Sequence, residues 1–349
     1  MNAKLKWEVC ILSPQAEKIF SESINQFINK IRVGSEKETA RAITLLENQD
    51  PLSREIMKQL YQNLNKPYII GITGPAGSGK STLLNLLIKE YLKSSEEKIA
   101  VIAVDPTAQQ SGGAFLGDRI RMKDLVNDQR VFIRSMASRG SSGGVNTAVY
   151  DTAVILSAAG FKKIIIETIG IGQTEIDIVS LADTTLVVTV PEAGDEIQIY
   201  KSELMEIGDI FILNKADLPQ SARMEVLIKS LFSLKREENS NKTANNLAKA
   251  GWQNVLLKTS ALNNQGIEAV IEEIDKHFAY LNKNGILEEN QDKQLKKHLF
   301  NLLQSKITAK MLNKFAQEEN LEEYSARILG GQASPDQLIE EFIDNNLTI

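Results

Sequence analysis

Between Tyr68 and about Phe278, short apolar runs alternate with longer segments whose apolar positions recur every three to four residues. The runs are Ile69–Thr73, Ile99–Val104, Val131–Arg134, Ile164–Glu167, Thr185–Val190, Ile210–Leu213 and Val255–Leu257. Several, such as Ile164-Ile165-Ile166, are apolar without interruption, as strands buried on both faces must be. The alternation predicts an α/β fold with a doubly wound, mostly parallel sheet, and such sheets hold ligands at the carboxyl ends of their strands. Upstream, Ile24, Phe27, Ile28 and Ile31 mark one apolar face, and Asp50-Pro51 starts a further helix, so residues 14–64 read as a helical packing collar. Residues 236–250, rich in Glu, Asn and Lys, read as a surface loop. After about Leu281 the strands cease. Leu295, Leu299, Leu302, Ile307, Met311 and Phe315 form an apolar stripe on a long helix, followed by Gly330-Gly331 and a short helix near 335–345. A stripe this far along the chain either folds back on the core or makes an oligomer contact. The expected division is 1–66, 67–283 and 284–349: N-terminal helices, the α/β domain and a C-terminal helical segment.

At 349 residues the chain exceeds a typical single domain, which suits appended helices. Its net charge of −5 provides no electrostatic reason to expect nucleic acid as the main partner. Cys10 is the only cysteine, so no internal disulfide can form, and a reducing cytoplasm is expected. The first residues, with Lys4, Lys6 and Glu8, lack the apolar core of a signal peptide. No run of about 18 apolar residues occurs that could span a membrane.

The chemistry concentrates after the first apolar run. Gly74-Pro75-Ala76-Gly77-Ser78-Gly79-Lys80-Ser81 fits G-x-x-x-x-G-K-[ST], with Thr82 next and Leu83, Leu84, Leu86 and Leu87 opening an amphipathic helix. Gly74, Gly77 and Gly79 permit torsions a Cβ would forbid, so successive N–H groups can point at phosphate oxygens, helped by the positive end of the helix. Lys80 would reach the β- and γ-phosphates, and Ser81 would place its hydroxyl on Mg²⁺. A nucleoside triphosphate site is expected here.

The base and the switches are read from later strand ends. Asn214-Lys215-Ala216-Asp217 fits N-K-x-D, and a carboxylate at Asp217 can accept from both N1–H and the exocyclic amine of guanine. Adenine lacks that pair of donors and would leave the carboxylate unmatched, a discrimination worth roughly 10⁴-fold or more. Thr259-Ser260-Ala261-Leu262 follows a further strand and can donate a backbone N–H to guanine O6, so GTP is expected rather than ATP. Glu167-Thr168-Ile169-Gly170 occupies the D-x-x-G turn, with the Gly170 N–H on the γ-phosphate and Glu167 in the Mg²⁺ shell through water. Ile171 stands where many small G proteins carry a water-orienting glutamine, and Gln173 comes two residues later, so slow intrinsic hydrolysis that needs a partner is expected. Three further stretches look like switches: Asp105-Pro106-Thr107 with the loop Ser111–Arg119, the basic loop Arg134–Gly140 with Gly143-Gly144, and Gly194–Gln198 with Lys201. Nickel insertion, another role for such proteins, would need Cys/His sets near the switches, whereas Cys10, His277 and His298 lie outside the phosphate-binding loops.

Taken together, Gly74–Thr82, Ala103–Pro106, Ser111–Met122, Glu167–Glu175, Gly194–Gln198 and Asn214–Asp217 resemble the MeaB/ArgK family of P-loop GTPases, the methylmalonyl-CoA mutase-associated chaperones. The resemblance runs over nearly the whole chain, to Gly330–Pro335. It implies a homodimer with a SIMIBI-type G domain and C-terminal helices that make the dimer. It also implies an adenosylcobalamin-dependent acyl-CoA mutase as partner, whose cofactor loading and protection are gated by GTP. On this resemblance Asp105, Asp118 and Glu167 join Ser81 around Mg²⁺, and Lys80, Glu167 and Asp105 are the catalytic candidates. Asp195, Glu196, Gln198 and Lys201 would face the mutase. Ser202, Glu203 and Ser141 depart from the family's usual residues. Two rival readings stand beside it: a kinase acting on an amino-acid transport component, which would need an acceptor site, and a GTPase switch for an unrelated protein.

Overall fold

The computed structural model describes residues 14–62, 66–105, 125, 127–137, 144–168, 181–191, 204–242, 251–316 and 318–346. Three helices come first: α1 (Pro14–Arg32), α2 (Glu36–Glu47) and α3 (Pro51–Tyr61). The start of α3 is fixed locally, because the Asp50 side chain accepts from the Leu52 N–H at 2.9 Å and Pro51 takes the first helical position.

The α/β unit then runs β1 (Tyr68–Thr73), α4 (Lys80–Ser94), β2 (Ile99–Asp105), β3 (Val131–Ala137), α5 (Gly144–Ala158), β4 (Lys163–Thr168), β5 (Thr184–Thr189), α6 (Leu204–Ile207), β6 (Ile210–Leu213), α7 (Ser221–Lys242), β7 (Val255–Lys258) and α8 (Ile267–Lys283). All seven expected strands are present. They form one sheet in the order β3-β2-β4-β1-β5-β6-β7, and every pairing is parallel. Alternation along β1 assigns the two faces. Ile69 packs into a core with α1–α3 and α5, whereas Ile70 and Ile72 pack with α4 and α8. Every residue of β1 is buried, as its central position demands.

Two sequence expectations need correction. Residues 236–242 are the end of α7 rather than loop, because Arg236, Glu237, Glu238 and Lys242 are good helix formers that need no apolar stripe; residues 243–250 lie outside the described residues. The C-terminal region holds α9 (Ile286–Phe315) and α11 (Pro335–Asn346) as expected, and also α10 (Glu318–Leu329), which the pattern reading passed over. The stripe on α9 divides: Leu295 packs against the core, while Leu299 and Ile307 are exposed. Phe315 meets Tyr324 and Phe342, with ring centres 5.8 and 5.1 Å apart, which ties α9, α10 and α11 into one small cluster. Among the described residues no helix is long and apolar enough to cross a membrane.

Candidate nucleotide site

The loop between β1 and α4 follows from the chain's own sterics. Gly74 has φ +143, and a Cβ there would lie 2.0 Å from the Val188 carbonyl oxygen on β5, so only glycine lets the loop cross the sheet end. At Gly77 (φ +75), which is exposed, a Cβ would meet nothing within 4 Å. Lys80 is the first residue of α4 and is 6% exposed. Its Nζ donates to the Gly74 and Pro75 carbonyls at 2.7 and 2.8 Å. These two carbonyls offset part of the desolvation of a buried ammonium, and a bound phosphate would add to them.

Ser81 Oγ donates to Glu167 Oε1 at 2.6 Å. Glu167 is 2% exposed on β4, in register with Ile72 of β1 and Ala103 of β2. The longer reach of Glu is used in this contact, which joins the start of α4 to the neighbouring strand. The two groups are hard oxygen donors side by side, the donor chemistry that Mg²⁺ takes. Asp105 closes β2 opposite Ala137, so its backbone belongs to the same corner; its side chain lies outside the described residues. Asp118, Gly170, Ile171, Gln173, Asp195, Glu196, Gln198 and Lys201 also lie outside them, as do Ser141, Ser202 and Glu203.

On the other side of the loop, Asn214 follows β6 and is 2% exposed. Its Nδ2 donates to the Ser78 carbonyl at 2.8 Å, while its Oδ1 accepts from the Ala261 N–H and the Thr259 hydroxyl, both at 3.1 Å. One amide therefore clamps the phosphate loop to the 259–262 loop, a role the N-K-x-D pattern alone does not disclose. The turn is completed by the Ala216 N–H on the Thr259 carbonyl at 3.0 Å and by Lys215 in the left-handed region, φ +55. Asp217 is exposed, with its carboxylate available to a ligand. Ser260 and Gln265 exchange two backbone hydrogen bonds, which holds Ala261 buried at the clamp and leaves the Leu262 side chain 90% exposed. Beneath the loop, the Thr168 hydroxyl lies 3.3 Å from that of Thr73, a second link between β4 and β1.

Known proteins share this sequence and fold. A family model described as methylmalonyl Co-A mutase-associated GTPase MeaB matches residues 39–316. A putative GTPase of Pyrococcus abyssi is 38% identical over 329 residues, covering 93% of this chain and 99% of its own length. GTPase ArgK of Escherichia coli K12 is 31% identical over 284 residues, covering 78% and 81%. The crystal structure of an LAO/AO transport system kinase superposes with TM-score 0.65 at 22% identity over 97% of this chain and 100% of that one, a shared fold.

Proposed function

The chain belongs to the MeaB family of methylmalonyl-CoA mutase-associated GTPases, and from that premise we propose that it is a Mg²⁺-dependent GTP switch for an adenosylcobalamin-dependent acyl-CoA mutase. GTP hydrolysis itself comes with the family. The observation that carries the site assignment is the Asn214 clamp, which joins a loop suited to phosphates to the loops suited to guanine. Lys80 would hold the β- and γ-phosphates. The N–H groups of residues 76–82 would fix their oxygens, with Gly170 added on the γ-phosphate. Asp217 would accept from guanine, Ala261 or Leu262 would donate to its O6, and Asn214 with Lys215 would frame the ring. Ser81, Glu167, Asp105 and Asp118 would hold Mg²⁺. When bound there, the metal would neutralise charge developing on the bridging and γ-oxygens. Residues 194–201 would contact the mutase, in the cytoplasm, and the C-terminal segment 284–349 would pair two copies. Support for the partner is the family description; support for pairing is the exposed apolar stripe of α9.

The test is co-purification with a cobalamin-dependent mutase, measured with GDP and with a non-hydrolysable GTP analogue. The expected result is an affinity that differs between the two nucleotides. Mutase binding that ignores the nucleotide overturns the switch; γ-phosphate transfer from GTP to a protein acceptor would replace it with a kinase.

A further inference from the structure

The turn that follows β7 is closed by its own backbone. Ser260 and Gln265 exchange hydrogen bonds at 3.1 and 3.0 Å, and the Asn263 N–H donates to the Ser260 carbonyl at 3.1 Å. The Asn263 side-chain amide adds a bond to Ser260 Oγ at 3.0 Å. Behind the turn Gly266 has φ +76, and a Cβ there would lie 2.3 Å from the Lys258 carbonyl oxygen, so the backbone is packed tightly on itself. In front, Asn214 Oδ1 takes the Ala261 N–H and holds that residue 8% exposed. Leu262 stands at the tip of a turn with little freedom.

Two parts of Leu262 are not used by these contacts. Its N–H enters none of the bonds that close the turn. Its side chain is 90% exposed, the highest value for a large apolar side chain among the described residues. Single exposed apolar residues are ordinary on protein surfaces, and exposure alone says nothing. Place is what distinguishes this one. Leu262 adjoins the clamped Ala261, and the same Asn214 leads to exposed Asp217, the carboxylate assigned to guanine.

We propose that the Leu262 side chain is the apolar cover of the bound base, lying against the guanine ring while Asp217 takes its polar edge. The inference rests on the nucleotide assignment above and deepens it. Guanine carries its donors and acceptors on its edge, so a site made only of Asp217 and backbone N–H groups leaves apolar ring surface in water. Ligand sites usually pair a few placed polar groups with apolar walls. With the Ala261 N–H engaged by Asn214, the Leu262 N–H is the donor left for guanine O6. A bond from that N–H brings its own side chain to the ring. A protein contact is the rival use of the same side chain.

The test is Leu262→Ser in the full-length chain, titrated with fluorescent analogues of GDP and of inosine diphosphate, which lacks the 2-amino group assigned to Asp217. Both affinities are expected to fall by the same factor, about tenfold or more, as uncovering a leucine-sized apolar contact requires. The KM for GTP should rise with kcat little changed, and the urea midpoint should stay put because the side chain is exposed in the free protein. Leu262→Met is expected to restore the parent affinity. Unchanged GDP affinity in Leu262→Ser overturns the proposal and leaves the side chain to a protein contact. A loss that comes with a lower midpoint, or that differs between the two nucleotides, also overturns it. A parent protein that binds neither nucleotide overturns the site assignment itself, which separates the two failures.

Discussion

Substituting the two loop glycines by alanine separates what the loop needs for folding from what it needs for its ligand. At Gly74 a Cβ would sit 2.0 Å from the Val188 carbonyl oxygen and 3.0 Å from its carbon, both backbone atoms of β5 that cannot rotate away. The end of β1 would have to move off β5, which breaks the parallel pairing of Thr73 with Val187. Overpacking and backbone shifts of this kind cost about 1–3 kcal/mol, and the lost backbone bonds add about 1 kcal/mol each. Gly74→Ala is therefore expected to lose about 3 kcal/mol or more. At Gly77 the Cβ meets nothing, so only the left-handed backbone counts, about 1–2 kcal/mol. Relaxing that left-handed backbone would, however, re-aim the loop N–H groups assigned to phosphates and weaken one or two charge-assisted contacts of about 1.5–3 kcal/mol each. That corresponds to roughly 10- to 100-fold in affinity. Urea unfolding and titration with a fluorescent GDP analogue measure both effects. Unchanged nucleotide affinity in Gly77→Ala, or a Gly74→Ala protein as stable as the parent, would refute the reasoning.

Asn214→Ala removes three hydrogen bonds at a buried site and should lower nucleotide affinity and the unfolding midpoint together; a loss confined to one would show that the clamp does not couple the loops. Ser81→Ala should weaken Mg²⁺-dependent hydrolysis while leaving Mg²⁺-free GDP binding nearly intact, as a titration with and without EDTA would show. Burial lowers the His277 pKa from 6.5 to about 4, so its neutral ring contributes stability above pH 6.5 that is lost as pH falls towards 4, at most about 3 kcal/mol. Burial raises the Asp183 carboxyl from 3.8 to about 7, so that group favours the fold at low pH and costs stability as pH rises from about 4 to 7, with a similar magnitude and the opposite sign. The parent protein should thus unfold at nearly the same denaturant concentration across that window, whereas His277→Gln should lose stability as pH rises; a flat profile in the variant would contradict this. Truncation after Leu281 should yield a monomer by light scattering, and an unchanged dimer would exclude α9–α11 as the contact.

The strands were readable because burial on both faces forces uninterrupted apolar runs, as at Ile164–Ile166, and no other local structure explains seven of them. The phosphate loop was readable because its backbone can be built only with glycine at positions such as Gly74. Less was readable where the determinant is tertiary. The link from Asn214 to Ser78 and Ala261 joins residues far apart in the chain, and no spacing rule reports it. Asp183, which accepts from the Ile69 N–H at 2.8 Å and so ties β5 to β1, looks in sequence like any polar strand flank. The helix α10 did carry a signal, Leu321, Tyr324 and Ile328 at helical spacing, but its many glutamates weakened the apolar stripe. The end of α7 had none, since a polar helix end and a polar loop share one composition.

The strand order has a consequence for control. With β1 in the centre, β6 and β7, whose ends carry Asn214 and the 259–262 loop, lie to one side, and β4 and β2, whose ends carry Glu167 and Asp105, lie to the other. Among the described residues, the N-terminal helices and α5 share a core with Ile69 of β1 and with residues of β2, β3 and β4, not of β6 or β7. On the proposed site assignment, a protein that grips this collar would pull on the half of the sheet that carries Glu167 and Asp105, and leave alone the half that carries Asn214 and the 259–262 loop. Timing can then be adjusted from outside without loosening the choice of fuel.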